Sequence, residues 1–197
     1  RDINQVVESM EPMLRRLLTE NIDFRISLDR LADPVIVDQA KLEQVILNLV
    51  VNARDAMPDG GRINLSTTKV RLDAYQARLD GLAGGKYICM DIRDTGTGMD
   101  DTVREHIFEP FFTTKEEGKG TGLGLATVYG IVTQSKGGIK VASEPGMGTT
   151  FSVYLPTAST EGTDDADADD GSVTPTATDS EDVTETLLIV EDEEDLR

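Results

Sequence analysis

The chain has 197 residues, with 37 acidic and 19 basic side chains and one histidine, a formal charge of −18 at neutral pH. The acidity is concentrated: residues 1–156 hold 22 acids against 18 bases and residues 157–197 hold 15 against 1, so a nearly balanced body, long enough for one domain with its own core, carries an anionic tail. This distribution argues against binding to nucleic-acid backbone, which needs clustered Lys and Arg, and the single cysteine rules out an intrachain disulfide.

No apolar stretch approaches the run of about 18–20 residues that spans a bilayer as a helix. The opening RDINQVVESM lacks the apolar core of a signal peptide. The chain fits the cytosol, with any inner-membrane segment of a parent protein lying upstream of Arg1. Cys89 sits in an apolar run and reads as a small buried hydrophobe.

Residues 2–20 read as an amphipathic helix, with Val6, Val7, Met10, Met13, Leu14, Leu17 and Leu18 recurring at three- and four-residue spacing. Pro12 predicts a kink or a restart within it. Residues 24–30 alternate as a strand does, and Val35–Val37 reads as a second, short strand. Asp38 then stands where a helix N-cap belongs. The helix expected over Gln39–Met57 turns Leu42, Val45, Ile46, Leu49, Val50 and Ala53 toward a core, and Pro58-Asp59-Gly60-Gly61 ends it. Arg62–Leu72 and Tyr87–Asp94 alternate as strands, separated by a polar, Gly-rich excursion at 73–85 with no assignable role. A short helix is predicted at 100–107, a long loop at 108–121 and a helix over Leu123–Gln134. Ile139–Ser143 and Thr149–Leu155 read as a closing hairpin. Helices interleaved with mostly antiparallel strands predict a two-layer α/β sandwich, a mixed sheet with helices on one face.

Pro156 closes this domain of residues 1–156. Residues 157–185 are built from Thr, Asp, Ala, Gly, Ser and Pro without Lys or Arg, a composition that cannot bury enough apolar surface to offset ordering and reads as a flexible acidic linker. TLLIVEDEEDLR, residues 186–197, starts something new: an apolar run ending in clustered carboxylates, as in the first strand of a further domain.

Four segments carry chemistry. Asn48 and Asn52 are four apart, so both carboxamides leave one face of the second helix. A carboxamide oxygen is a suitable hard ligand for Mg²⁺ and its NH₂ can donate to a phosphate; two solvated asparagines are the plain alternative. In Asp94-Thr95-Gly96-Thr97-Gly98-Met99 a carboxylate at a strand end stands beside open backbone, where it can accept from an exocyclic amine while the glycines admit a ligand without a Cβ clash. A simple turn, with a helix cap at Asp100, explains it equally. Gly118-Lys119-Gly120-Thr121-Gly122-Leu123-Gly124 feeds a helix N-terminus and can offer backbone N–H groups to an anion, although it is not a Walker A loop. Phe108-Glu109-Pro110-Phe111-Phe112-Thr113-Thr114-Lys115 precedes it and reads as a lid.

In this order the segments resemble the catalytic, ATP-binding domain of sensor histidine kinases, within the gyrase/Hsp90/histidine kinase/MutL superfamily. Asn48–Asn52 is similar to the N box, Asp94–Gly98 to the first glycine box, Phe108–Phe112 to the F box, Gly118–Gly124 to the second glycine box and Gly146-Met147-Gly148-Thr149 to the last glycine motif. The run NARDAMPDGG resembles a subgroup of bacterial hybrid kinases. The tail TLLIVEDEEDLR is similar to the opening of a receiver domain, with Glu191 and Asp192 at the acidic pair.

The resemblance implies a Bergerat-type ATP-binding fold and ATP with Mg²⁺ as its ligands. Asp94 would bind the adenine amino group, with Gly96, Gly98 and Met99 around the base. Asn52 would coordinate Mg²⁺ and Asn48 would sit by the phosphates. Lys115, Gly120, Thr121, Gly122, Leu123, Gly124 and Thr149 would complete the nucleotide site, and Phe108 would anchor the lid. Lys115 and Asn48 are the residues placed nearest the transferred phosphoryl group.

Water-using relatives carry Glu four residues before the metal-binding Asn. Asn48 holds that place, and an amide cannot act as a general base, which favours transfer to an external nucleophile by positioning and charge neutralisation. The only histidine, His106, is followed by Ile107 and adjoins the F box, so it reads as a lid-region histidine and not as a phosphoacceptor. The implied acceptor lies on a dimerisation hairpin before Arg1, and the remainder of the receiver beyond Arg197. The parent would be a homodimer and this stretch alone a monomer. A superfamily ATPase and a nucleotide-sensing module without catalysis remain alternatives. Tyr129 and Lys136 could hold a regulatory cyclic dinucleotide; a core-edge tyrosine and a solvated lysine are the preferred reading.

Overall fold

The computed structural model describes residues 1–30, 33–79, 81–115 and 120–158. Of the linker expected at 157–185 only Thr157 and Ala158 are described, bonded to Lys86 and Pro34; its remainder, the receiver-like tail at 186–197 and the Gly118-Lys119 pair lie outside the described residues.

Asp2 caps α1 (Ile3–Leu17), its Oδ1 accepting from Asn4 N at 2.9 Å. The helix runs unbroken through Pro12. Pro12 and Glu8, whose carbonyl loses its donor, both lie on the exposed side, where that carbonyl is not sealed from solvent, and the expected restart does not occur. Strand β1 (Ile22–Leu28) follows, and α2 (Gln39–Asp55) begins at Asp38, which accepts from Lys41 N at 3.2 Å. Strand β2 (Gly61–Leu72), α3 (Ala74–Leu79), β3 (Gly85–Asp94), α4 (Asp101–His106), α5 (Gly124–Gln134), β4 (Gly138–Glu144) and β5 (Gly148–Pro156) complete the body.

The five strands form one mixed sheet in the order β1-β2-β3-β5-β4, with β1 parallel to β2 and the other pairs antiparallel. One face is apolar: Ile63 and Leu65 of β2, Ile88, Met90 and Ile92 of β3, and Phe151, Val153 and Leu155 of β5 are buried. Onto it pack α1 through Ile3, Val7 and Leu14, α2 through Leu42, Ile46, Leu49 and Val50, and α5 through Val128 and Val132. The six apolar positions expected to face inward from α2 are the six that are buried.

Two expectations are corrected. Val35–Val37 is not a strand: Val35 makes one isolated bridge, to Thr157, and Pro34 beside it has no N–H to extend a ladder. The excursion at 73–85 contains α3. By strand alternation Tyr87 and Tyr154 point away from the main core; Tyr87 Oη donates to Ala83 O at 2.8 Å and Leu82 lies against Gly138, so the excursion covers one end of the second sheet face.

The segment around Val35 also joins the two ends of the body. Val35 N donates to Arg1 O at 2.7 Å, Ile36 N to Pro156 O at 3.3 Å and Ala158 N to Pro34 O at 2.8 Å.

Candidate nucleotide site

The burial of Val45, Ile46, Leu49 and Val50 fixes the rotation of α2, and Asn48 and Asn52 are left at the edge of that face, beside the start of α5. Asn48 Nδ2 donates to Gly124 O at 3.3 Å. A Cβ built on Gly124 would lie 3.8 Å from Asn48 Oδ1 and 3.9 Å from Asn52 Nδ2. The two carboxamides and the first residue of α5 therefore share one wall. Helix α5 starts at Leu123 without a side-chain cap, so its first amides keep their donors for a ligand.

Asp94 ends β3, buried at 2% exposure. Its Oδ1 accepts from Gly96 N at 2.8 Å and from Thr149 N at 3.2 Å. Among the described residues no bond ends on Oδ2. Burial pushes its pKa up and the two backbone N–H groups oppose this only in part. Behind it the glycine motifs lock together. Gly98 has φ +65° and its α-carbon faces the Glu144 carbonyl so closely that no Cβ fits. Met99 N donates to Ser143 Oγ at 2.9 Å, and Ser143 Oγ meets Thr149 Oγ1 at 2.9 Å and Gly148 O at 3.1 Å. Gly146 N donates to Thr97 O at 2.7 Å. The loop after β3 and the β4–β5 turn are thus one unit that holds Asp94.

The aromatic segment after α4 folds back on the second glycine loop. Phe111 has φ +70°, is 74% exposed, and donates from its N–H to Gly122 O at 2.9 Å. Phe108 packs on Tyr129 of α5, ring centres 5.3 Å apart, and Phe112 on His106 at 5.7 Å. His106 Nδ1 lies 2.7 Å from Glu109 Oε1, which raises the histidine pKa. Lys115 Nζ lies 2.6 Å from Asp55 Oδ2 at the end of α2.

These parts surround a cavity of about 500 Å³, a volume typical of small-molecule sites. Asn48, Asn52, Asp94, Gly98, Met99 and Lys115 line it, together with Gly120, Thr121, Gly122, Gly124 and Thr149. Three residues expected in it do not line it, nor do Tyr129 and Lys136, which were weighed for a separate nucleotide. Gly96 supports Asp94 from behind, with a Cβ there 2.6 Å from Ala56 O. Phe108 holds the aromatic segment to α5, and Leu123 is the α5 cap, 42% exposed. Tyr129 lies midway along α5, 49% exposed, and Lys136 follows its C-terminal end in left-handed conformation at φ +55°. The sequence reading missed Asp55 and the apolar wall of Val103, Ile107, Phe112 and Leu125. Asp55 was marked by its spacing, three residues after Asn52 on the same helix face.

A carboxamide oxygen at Asn52 fits magnesium, which keeps waters and phosphate oxygens as most of its ligands. Among the described residues no group of three or more His, Cys, Asp and Glu side chains could hold a metal unaided. None of the described helices is long and apolar enough to cross a membrane.

The family model described as histidine kinase-, DNA gyrase B- and HSP90-like ATPase matches residues 37–159. The sensor kinase CckA of Brucella abortus (strain 2308) is 44% identical over 202 aligned positions, which take in 100% of this chain and 21% of that kinase. The mycobacterial sensor histidine kinase MprB superposes with a TM-score of 0.61 at 27% identity, over 79% of this chain and 95% of that one. Full-length ShkA, solved in complex with AMPPNP, has a TM-score of 0.58 at 26% identity, over 79% of this chain and 30% of that one. The chain spans about a fifth of the length of the first of these relatives. With more than half of its residues inside the match, the chain belongs to the histidine kinase-, DNA gyrase B- and HSP90-like ATPase family, and it carries the ATP-binding catalytic domain of the sensor histidine kinases of two-component signalling.

Proposed function

We propose that this chain binds ATP with Mg²⁺ and donates the γ-phosphoryl group to a histidine on a dimerisation hairpin of the same parent, a hybrid sensor kinase. The observation that carries this reading is the placement of Asn48, Asn52 and the start of α5 on one wall, with Asp94 on the same cavity. Asp94 Oδ2 accepts from the adenine amino group, and Gly98 lets the loop behind it close on the Glu144 carbonyl. Met99 and the apolar wall cover the ring. Asn48 and the amides of Gly120–Gly124 hold phosphate oxygens, and the Lys115 ammonium neutralises part of their charge. Asn52 is the protein ligand for magnesium, which when bound withdraws charge from the phosphate oxygens.

In the transfer the bond between the γ-phosphorus and the bridging oxygen breaks, a phosphorus–nitrogen bond to the acceptor imidazole forms, and ADP leaves with the electron pair. Only Asp55 and Asp94 are acids among the described lining residues. Asp94 serves the adenine end. Asp55 is held by Arg54 and Lys115 with its pKa lowered, which makes it a poor base for activating water. That favours a donor to imidazole over an ATPase. The body is the catalytic unit, closed by Thr157 and Ala158 against Val35 and Pro34; the acidic stretch from there to 185 is the tether and 186–197 the start of a receiver domain. A cyclic dinucleotide at Tyr129 and Lys136 has no support beyond the exposure of the tyrosine.

The test is phosphorylation in trans: labelled ATP, the purified hairpin domain and this chain, with Asn52→Ala as control. Label on the hairpin that depends on Mg²⁺ and on Asn52 is expected. Steady phosphate release without acceptor would identify an ATPase, and nucleotide binding without transfer a sensing module.

A further inference from the structure

Arg54, Asp55 and Lys115 form a chain of three charges on the cavity wall, net +1. The Asp55 carboxylate is divided between its neighbours. Its Oδ1 accepts from Arg54 Nε at 2.9 Å and Nη2 at 2.7 Å, and its Oδ2 from Lys115 Nζ at 2.6 Å. Arg54 is itself tied down, donating from Nη1 to Leu17 O at the end of α1 at 3.3 Å. Burial works to raise the Asp55 pKa, and the bonds from Lys115 and Arg54 outweigh it, so the carboxylate stays charged.

Lys115 is set in its loop from two further sides. Its backbone N–H donates to Thr113 Oγ1 at 3.2 Å. Its stem lies against Gly120, where a Cβ would come within 3.3 Å of Lys115 Cβ and Cδ. Among the described residues, Asp55–Lys115 is the one ion pair that joins this loop to α2.

We infer that Asp55 is a positioning residue that acts through Lys115, orienting the ammonium before a nucleotide's outer phosphates arrive. The inference rests on the nucleotide-binding reading above. A lysine ammonium has three donors. One bond to Asp55 leaves two for phosphate oxygens, so the pair need not break for the lysine to serve the ligand. A lysine anchored in advance has already lost the rotamer freedom that binding would otherwise remove. Arg54 keeps the carboxylate aimed and offsets its charge, so the anchor adds no net repulsion toward the phosphates.

A double-mutant cycle read by calorimetry tests this on the full chain, with ATP and AMP as probes. Asp55→Asn is expected to weaken ATP binding by about ten-fold and to leave AMP affinity unchanged, because AMP lacks the outer phosphates. Asp55→Glu, which keeps the charge, should recover most of the loss. In a Lys115→Met background Asp55→Asn should have no further effect. Equal weakening in both backgrounds, a parallel loss for AMP, or tighter ATP binding by Asp55→Asn would each overturn the inference; the last is what simple carboxylate–phosphate repulsion gives. If the native chain took up no ATP at all, the nucleotide reading itself would fall, and this inference with it.

Discussion

Phe111 and Gly122 lie back to back, each with positive φ, joined by the Phe111 N–H to Gly122 carbonyl bond of 2.9 Å. The contact fixes where the aromatic segment crosses the second glycine loop. A Cβ on Gly122 would stand 2.6 Å from the Phe111 α-carbon. Gly122→Ala should therefore displace the lid and reduce ATP affinity in calorimetry while the core stays folded. Phe111→Gly should act the other way on stability. It relieves a left-handed residue at a cost of about 1 kcal/mol and removes a ring that is 74% exposed. The denaturant midpoint should rise.

Asp94→Asn should abolish ATP binding, because the amide NH₂ meets the adenine amino group donor to donor. The native pKa is raised chiefly by burial. A carboxyl with a higher pKa folded than unfolded stabilises the fold below its ordinary value, and that contribution is lost as pH rises through the raised value. The native chain should thus lose stability relative to Asp94→Asn as pH rises from the ordinary carboxylate range toward neutrality. Paired thermal melts across that range would read it; a difference that does not vary with pH would contradict it.

Cys89 is buried, and burial, followed by the charge of Asp91 3.5 Å away, pushes its thiol up to about 12. Its stabilising contribution is full below the ordinary thiol value and fades as pH climbs toward about 12. Two outcomes are expected. A thiol reagent at pH 8 should react with Cys89 only at the rate at which the fold opens, and Cys89→Ala should soften the alkaline loss of stability.

Leu49 lies between the two cavity-lining asparagines in sequence and is wholly buried. Leu49→Ala should cost about 2–5 kcal/mol of unfolding free energy, measured by chemical denaturation. Asn48→Ala, at the cavity wall, should cost far less and fall chiefly on nucleotide affinity. Similar unfolding costs for the two would contradict the assignment of helix faces.

Much of this site was legible in the sequence because its parts are local. Four-residue spacing alone puts Asn48 and Asn52 on one face, and the apolar residues between them fix which way it turns. Asp94 and its glycines announce a strand end with open backbone. What stayed hidden depended on distant partners. The bond between Asp55 and Lys115 spans 60 positions, and no local pattern predicts it. Val35–Val37 has strand composition, yet its neighbours in space supply one bridge and no ladder. Helix α3 was masked by the glycines around it, and the burial of its Ala77 is a tertiary feature that no local pattern marks. Tyr129 and Phe108 meet only because α4 and its loop fold onto α5.

The hydrogen bonds that bring Arg1, Pro34–Ile36 and Pro156–Ala158 together give the body a single doorway for its backbone. A unit whose entrance and exit adjoin can be spliced into a longer polypeptide, or cut and rejoined as a circular permutant, without stretching its sheet. The domain is in that sense built as a cassette: a short covalent splice between residues 1 and 158, with new termini opened at an exposed turn away from the cavity, such as Thr19-Glu20 between α1 and β1, should give a protein that still folds and still binds its nucleotide.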